Sequence, residues 1–303
     1  MLKITKRLQQ PFCAALVALL MTATPAQAWT RTGHAAIGFV AEAKLKTDNR
    51  AVWNTISELL DGAEFYDEAV AGWADDVRES YPNLIHTVRI PVLGAVPQAS
   101  DPACIADQPA ISCADKAIAY YAGILKNTAN PRQQRQEAVK FLLHLVGDLH
   151  QPLHGSEPGG AQDKVLIPGG VLNVDANGAA TTTDVHSVWD YAIVKKHGLT
   201  AIQLGRQLWD DASLAPPTSL TPRDWAVESR NLSKKYIFID PVTPSANDAY
   251  KVVACGGRTG ITCPSAAKTL PADYETKNYY LASYRLKQAG LRLAELLVKT
   301  LGS

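Results

Sequence analysis

The sequence predicts a mainly α-helical single domain carrying one small β-ribbon. Three observations lead there. Apolar residues recur at helical spacing through most of the 303-residue chain. Strand and turn signals are confined to one stretch, residues 159–183. No internal repeat, low-complexity tract or linker divides the chain, so one large domain accommodates it.

Residues 1–28 stand apart as a secretory signal. Lys3, Lys6 and Arg7 make a positive start. An apolar run from Phe12 to Met21 is too short to span a bilayer. Ala26-Gln27-Ala28 is a small-x-small cleavage site. Cutting after Ala28 leaves a domain of residues 29–303 that begins with Trp29 and has His34 five positions on. A freed α-amine and the carbonyl of the same residue can chelate a metal together.

Within the domain, Thr32–Lys46 has apolar residues at helical spacing, and Asp48 is placed to cap a second helix over Arg50–Leu60. Asp115–Asn127 shows the same period through Ile118, Tyr121, Ala122 and Leu125. Pro131 suits a first helical turn, so a helix should run from there to about His150, where Pro152 ends it. His186–Lys196 and Thr200–Ala212 read as helices, and Tyr274–Leu301 as a long amphipathic one. The exception contains Val165-Leu166-Ile167, a Pro168-Gly169-Gly170 turn, Val171 to Val174 and Asn177-Gly178, which are hairpin signals.

The signal carries three of the 30 basic residues and none of the 29 acidic ones, so the mature chain has 27 bases against 29 acids. That is no electrostatic footprint for a duplex-binding protein; on a nucleic-acid substrate, bound cations must supply the local positive field. Four cysteines remain after cleavage, an even number in an exported chain, and disulfides are expected. Cys104–Cys113 and Cys255–Cys263 are the favoured pairs because each closes a short loop containing Pro or Gly.

The chemistry concentrates in FLLHLVGDLHQPLH, Phe141 to His154. His144 and Asp148 stand at i and i+4 and share a helical face with apolar Phe141 and Leu145, so that face turns inward. A buried aspartate without a partner costs several kcal/mol unless a cation or hydrogen bonds satisfy it. His154 follows just past Pro152, where the chain can fold back. His186 and Asp190 repeat the i,i+4 pair, and Asp75 and Arg78 lie in a third cluster, Trp73 to Arg78. One His/Asp pair alone is more often a hydrogen-bonded helix pair, and Trp73 and Trp189 are core residues by type. Together, five of seven histidines beside three aspartates, with no thiolate among them, make the ligand set of hydrolytic zinc.

These motifs resemble those of the zinc-dependent single-strand nucleases of the P-one/S-one type, which share a fold with bacterial zinc phospholipase C. The matching runs are W-x₄-H from Trp29 to His34, WAD-x₂-R from Trp73 to Arg78, H-x₃-D-x₅-H through His144, Asp148 and His154, and H-S-x-W-D from His186 to Asp190. The resemblance implies a single helical domain of the phospholipase C/P-one nuclease type and three Zn²⁺ per chain. One zinc would take Asp75, His86, His144 and Asp148; a second His154, His186 and Asp190; the third the Trp29 amine and carbonyl, His34 and a shared Asp148 oxygen. It also implies a monomeric, exported endonuclease acting on single-stranded RNA, DNA and nucleotides and giving 5′-phosphates, with 3′-nucleotidase activity as a second expectation. Asp75 would orient the attacking nucleophile and Arg78 would steady the phosphoryl oxygens. His150 and His197 are left over as structural or exposed.

Two departures bear on substrate choice. Thr87 stands where fungal relatives have a base-stacking aromatic residue after the histidine equivalent to His86, and Arg89 replaces an acid, so base preference does not carry over. The family's GGN turn reads Gly159-Gly160-Ala161-Gln162-Asp163. Rival readings of the same residues are a zinc phospholipase C and an exported zinc-binding protein without catalysis.

Overall fold

The computed structural model describes residues 28–96, 113–158, 160, 163–174, 177, 179–214, 221–240, 245–254 and 264–302. The leader expected over residues 1–28, apart from Ala28, lies outside that set, as do Cys104, Cys255 and Cys263. Cys113 is buried and disulfide-bonded, with its partner outside the described residues.

In chain order the helices are α1 (Arg31–Asp48), α2 (Arg50–Leu59), two single turns α3 (Glu68–Ala71) and α4 (Trp73–Asp76), α5 (Ala114–Lys126) and α6 (Arg132–His150). Then follow α7 (Val185–Ser187), which runs through a π-helical turn at Val188–Ala192 into α8 (Ile193–Lys195), α9 (Ala201–Asp210), α10 (Pro222–Leu232) and α11 (Tyr274–Leu301). The strands are short: β1 (Ile90–Pro91) pairs in parallel with β2 (Ser156–Glu157), and β3 (Lys164–Leu166) lies between β4 (Thr183–Asp184) and β5 (Lys268–Thr269). Among the described residues no helix is long and apolar enough to cross a membrane.

Helix α6 is the axis of the molecule. Every residue from Phe141 to His150 is buried, because α5, α1, α10 and α11 cover it on different sides. A helix buried all round is apolar except where a polar side chain has a task. Here the exceptions are His144, Asp148 and His150. Phe141 ties the axis to the site: its ring stacks on Tyr121 at 4.3 Å and meets Trp73 and Tyr81 edge-on at 5.1 and 5.0 Å. Trp73 opens α4, so this aromatic cluster holds the turn bearing Asp75. Truncating such a ring costs about 3–5 kcal/mol.

The sequence reading needs three corrections. Asp48 does not cap α2; it ends α1, paired with Lys44 at 2.5 Å, and Asn49 occupies the cap without a side-chain bond. The apolar runs of residues 165–174 do not pair as a hairpin. The Asn173 side chain instead accepts from the Ile167 amide at 2.7 Å and donates to the Thr181 carbonyl at 2.9 Å. That closes a compact loop and leaves β3 to pair with β4 and β5. Helix α10 went unread, although Thr221 and Asp224 form a reciprocal capping box around Pro222 at the first helical position.

Candidate metal centre

Two histidines are aimed by the same device. His144 donates from Nδ1 to the Ala71 carbonyl (3.2 Å) and His154 donates from Nδ1 to the His86 carbonyl (3.1 Å). A donor committed to a backbone carbonyl fixes the orientation of the ring, so that Nε2 points inward. His34 reaches the same place from α1. It stacks on His144 with ring centres 4.0 Å apart, and Gly147 permits the approach, since a Cβ there would fall 2.7 Å from His34 Nδ1.

Asp148 is fully buried at the centre. Its Oδ1 lies 3.3 Å from His34 Nε2; its Oδ2 lies 2.9 Å from His86 Nδ1 and 3.4 Å from His144 Nε2. The two oxygens of one carboxylate therefore face two different groups. Asp75 completes the second, 3.4 Å from His144 Nε2 and 3.9 Å from His86 Nδ1. A third group stands beside them: His154 Nε2 is 3.0 Å from His186 Nε2, which is 3.2 Å from Asp190 Oδ2.

The donor set and its spacing fit zinc. Nitrogen and oxygen ligands about 2.0–2.1 Å from a tetrahedral zinc lie about 3.3 Å from one another, close to most of these separations. Orphaned atoms point the same way. His144 Nε2, both Asp148 oxygens and Asp190 Oδ2 are buried with no hydrogen-bond partner among the described residues, which is costly unless a cation satisfies them. Electrostatics agree. Burial alone would lower His144 and raise Asp148 and Asp75. The facing charges win instead: Asp148 and Asp75 push His144 up to about 9, while His144 and its neighbours hold both carboxyls well below their usual range. Burial, then the neighbouring His186, pushes His154 down to about 4. The carboxylate side of the cluster calls for positive charge, whereas His154 stays neutral and free to donate a lone pair.

Asp75 and Arg78 come from α4 and the turn after it, with the Arg78 guanidinium donating to Asp75 Oδ1 at 2.6 Å and lying 3.2 Å from His86 Nδ1. Arg78 is part-exposed, so it marks the open side of an otherwise sunken centre. The indole of Trp29 is fully buried and donates to the Gly147 carbonyl at 2.9 Å, while the Thr30 amide donates to the Asp190 carbonyl at 3.0 Å. Trp29 takes a φ of 37°, rare for a bulky residue and sustained by those anchors. The atom beside His34 Nε2 is the Ala28 carbonyl oxygen, 2.5 Å away. The third group enters through Gly160, whose φ of 77° and absent side chain let it pass Val185 next to His186; a Cβ would meet Val185 at 2.7 Å.

All nine of the residues singled out as ligands, and Arg78, thus converge on one region. The leftover His197 is exposed, against the Tyr279 ring, and His150 is buried on the other side of α6. Sequence reasoning missed Gln151, which is fully buried and donates to Asp190 Oδ1 at 2.6 Å. The signal for it was thin: a polar residue at a helix end, just before the Pro152 that opens a new turn.

The profile described as S1/P1 Nuclease matches residues 29–302. The chain belongs to the S1/P1 nuclease family. It is 28% identical to nuclease S1 of Aspergillus oryzae over 184 residues, 59% of this chain and 58% of that protein. It is 26% identical to nuclease P1 of Penicillium citrinum over 172 residues, 55% of this chain and 59% of that one. With endonuclease 1 of Arabidopsis thaliana it shares 23% identity over 304 residues, covering 93% of this chain and 90% of the relative. The match thus spans somewhat over half the length of the fungal family members and nearly all of the plant protein. The family fits the mainly α architecture with its few short strands.

Proposed function

We propose that this protein is an exported, zinc-dependent phosphodiesterase: an endonuclease preferring single-stranded RNA and DNA and leaving 5′-phosphates. The observation that carries the reading is Asp148, one buried carboxylate whose oxygens face two separate histidine groups, with a third group alongside. Family membership and the names of the relatives support the reaction class.

Asp75, His86, His144 and Asp148 would hold one zinc and His154, His186 and Asp190 another. His34, a shared Asp148 oxygen and the amine and carbonyl of Trp29 would hold a third. Cleavage after Ala28 would both free that amine and remove the carbonyl that faces His34. Zinc at these positions supplies Lewis-acid stabilisation of phosphoryl oxygens and lowers the pKa of water to about 7. The chain's own residues do the rest. Asp75 accepts a hydrogen bond from Arg78 and would orient a nucleophile. Arg78, part-exposed at the rim, offers its remaining donors to the phosphoryl oxygens; losing one such stabiliser typically costs about 10²–10³ in rate. The sunken centre admits a flexible unpaired strand more readily than a stiff duplex.

The test uses the secreted, signal-cleaved protein. Zinc is counted by elemental analysis, and single-stranded RNA and DNA are digested before and after chelation. About three zincs, with cleavage that chelation abolishes and zinc restores, is the expected result. Zinc without nuclease turnover, or release of choline from lecithin vesicles in its place, would overturn the substrate assignment.

A further inference from the structure

Gln151 joins the end of α6 to both stretches that carry the third group. Its backbone amide donates to the Asp148 carbonyl at 3.0 Å, and its own carbonyl accepts the His154 amide at 3.0 Å. Its side-chain Oε1 accepts the Leu153 amide at 2.5 Å, capping the turn that presents His154. That bond settles which end of the amide faces which way, because only an acceptor can meet a backbone N–H. The NH₂ is therefore committed to Asp190 Oδ1, 2.6 Å away across 39 residues of chain. With Oδ1 occupied, Oδ2 is the oxygen left facing His186 Nε2, and it has no hydrogen-bond partner among the described residues.

We propose that Gln151 is a positioning residue: its side-chain amide holds one oxygen of Asp190 so that the other, with His154 and His186, forms a preorganised metal site. The inference rests on the zinc reading above and deepens it for one group. Asp190 sits in a π-helical turn, a local departure from regular helix that recurs at functional sites. Partners of this kind tune metal affinity by about 10–100-fold when removed.

Two substitutions separate aiming from simple packing. Gln151→Glu keeps an acceptor for the Leu153 amide but sets a carboxylate against Asp190. Gln151→Met keeps the length of the side chain and removes both bonds. The signal-cleaved protein is equilibrated against buffers of fixed free zinc, and bound zinc is counted per chain; Co²⁺ replaces zinc in a parallel series read by visible absorption. Both variants should bind one metal of the set about 10–100-fold more weakly, leave the others unchanged, and alter the Co²⁺ spectrum of that site. Should Gln151→Met fail to fold, Gln151→Glu alone carries the comparison, since it retains the cap. Zinc binding identical to the wild type in a folded variant, even with a lowered melting temperature, would reduce Gln151 to a packing residue and overturn the proposal. A wild-type chain holding no zinc would overturn the metal reading itself, a result distinct from unchanged binding in the variants.

Discussion

Helix α6 carries two buried polar clusters on its two sides, and they are built in opposite ways. On one side stands Asp148 with its histidines; two residues on, on the other, stands His150. There the protein supplies its own cations. Arg285 and Arg292 are both essentially inaccessible. Arg285 donates to the His150 carbonyl at 3.0 Å, and Arg292 lies 3.0 Å from His150 Nε2. Both reach Glu228, at 3.1 and 2.6 Å. His150 donates from Nδ1 to the Val146 carbonyl at 2.7 Å. Burial and then the two guanidinium charges hold it well below its ordinary range, so it stays neutral. No atom of His150 is left over. On the Asp148 side Arg78 stops at the rim, on Asp75 Oδ1, and both Asp148 oxygens are buried with no hydrogen-bond partner among the described residues. The two sides teach that a buried histidine means little alone; the balance of fixed charge around it separates a structural knot from a site awaiting a cation.

The strongest way to break this contrast is Asp148→Asn. It removes the charge two groups share, so zinc content should fall and turnover drop by at least about 10²–10³-fold, read by elemental analysis and initial rates. On the other side, Glu228→Gln leaves two guanidinium groups facing each other without their anion. Stability should fall by about 3 kcal/mol in urea, with zinc content unchanged. Loss of zinc in that variant would show that the sides are not independent. Removing zinc sharpens the same point from the opposite end: at a hundredfold excess over its dissociation constant each ion contributes about 2.7 kcal/mol, so chelation should lower the melting temperature while leaving the Glu228 effect intact. The last effect lies away from both. Glu42 is buried at the end of α1 beside Glu64 and Lys46 and accepts the Phe65 amide at 2.9 Å. Burial, then its hydrogen bond with Glu64, raises its carboxyl to about 7. The folded chain thus holds a proton that the unfolded chain releases near pH 4.5, and stability should decline as pH rises from about 4.5 to about 7, by no more than about 1.4 kcal/mol per unit. Glu42→Gln should flatten that decline; an unchanged slope would assign it elsewhere.

Legibility in the sequence followed the reach of each signal. Tyr274–Leu301 was bounded to the residue because a long amphipathic period needs no tertiary help. Asp48 misled because the preceding helix claimed it by pairing it with Lys44, which left Asn49 at the cap. The valine runs near residue 170 carried strand propensity, but a single buried Asn173 outcompeted their pairing. The i,i+4 pairs His144/Asp148 and His186/Asp190 were readable because helix geometry puts them on one face. His86 had no local spacing to announce it and entered only through the resemblance. Gln151 left only a thin signal, since its partner Asp190 is distant in sequence and an amide has no ligand signature.

The bond from the Trp29 indole to the Gly147 carbonyl spans 118 positions, and the groups it helps assemble run from His34 to Asp190. Such a centre has no local precursor: loops of this length close late, so no short segment emerging in extended form can hold the complete set of ligands. Metal loading then reports a finished fold. On the hydrolase reading proposed above, the chain would be inert for as long as it is a thread and competent only where it has room to collapse.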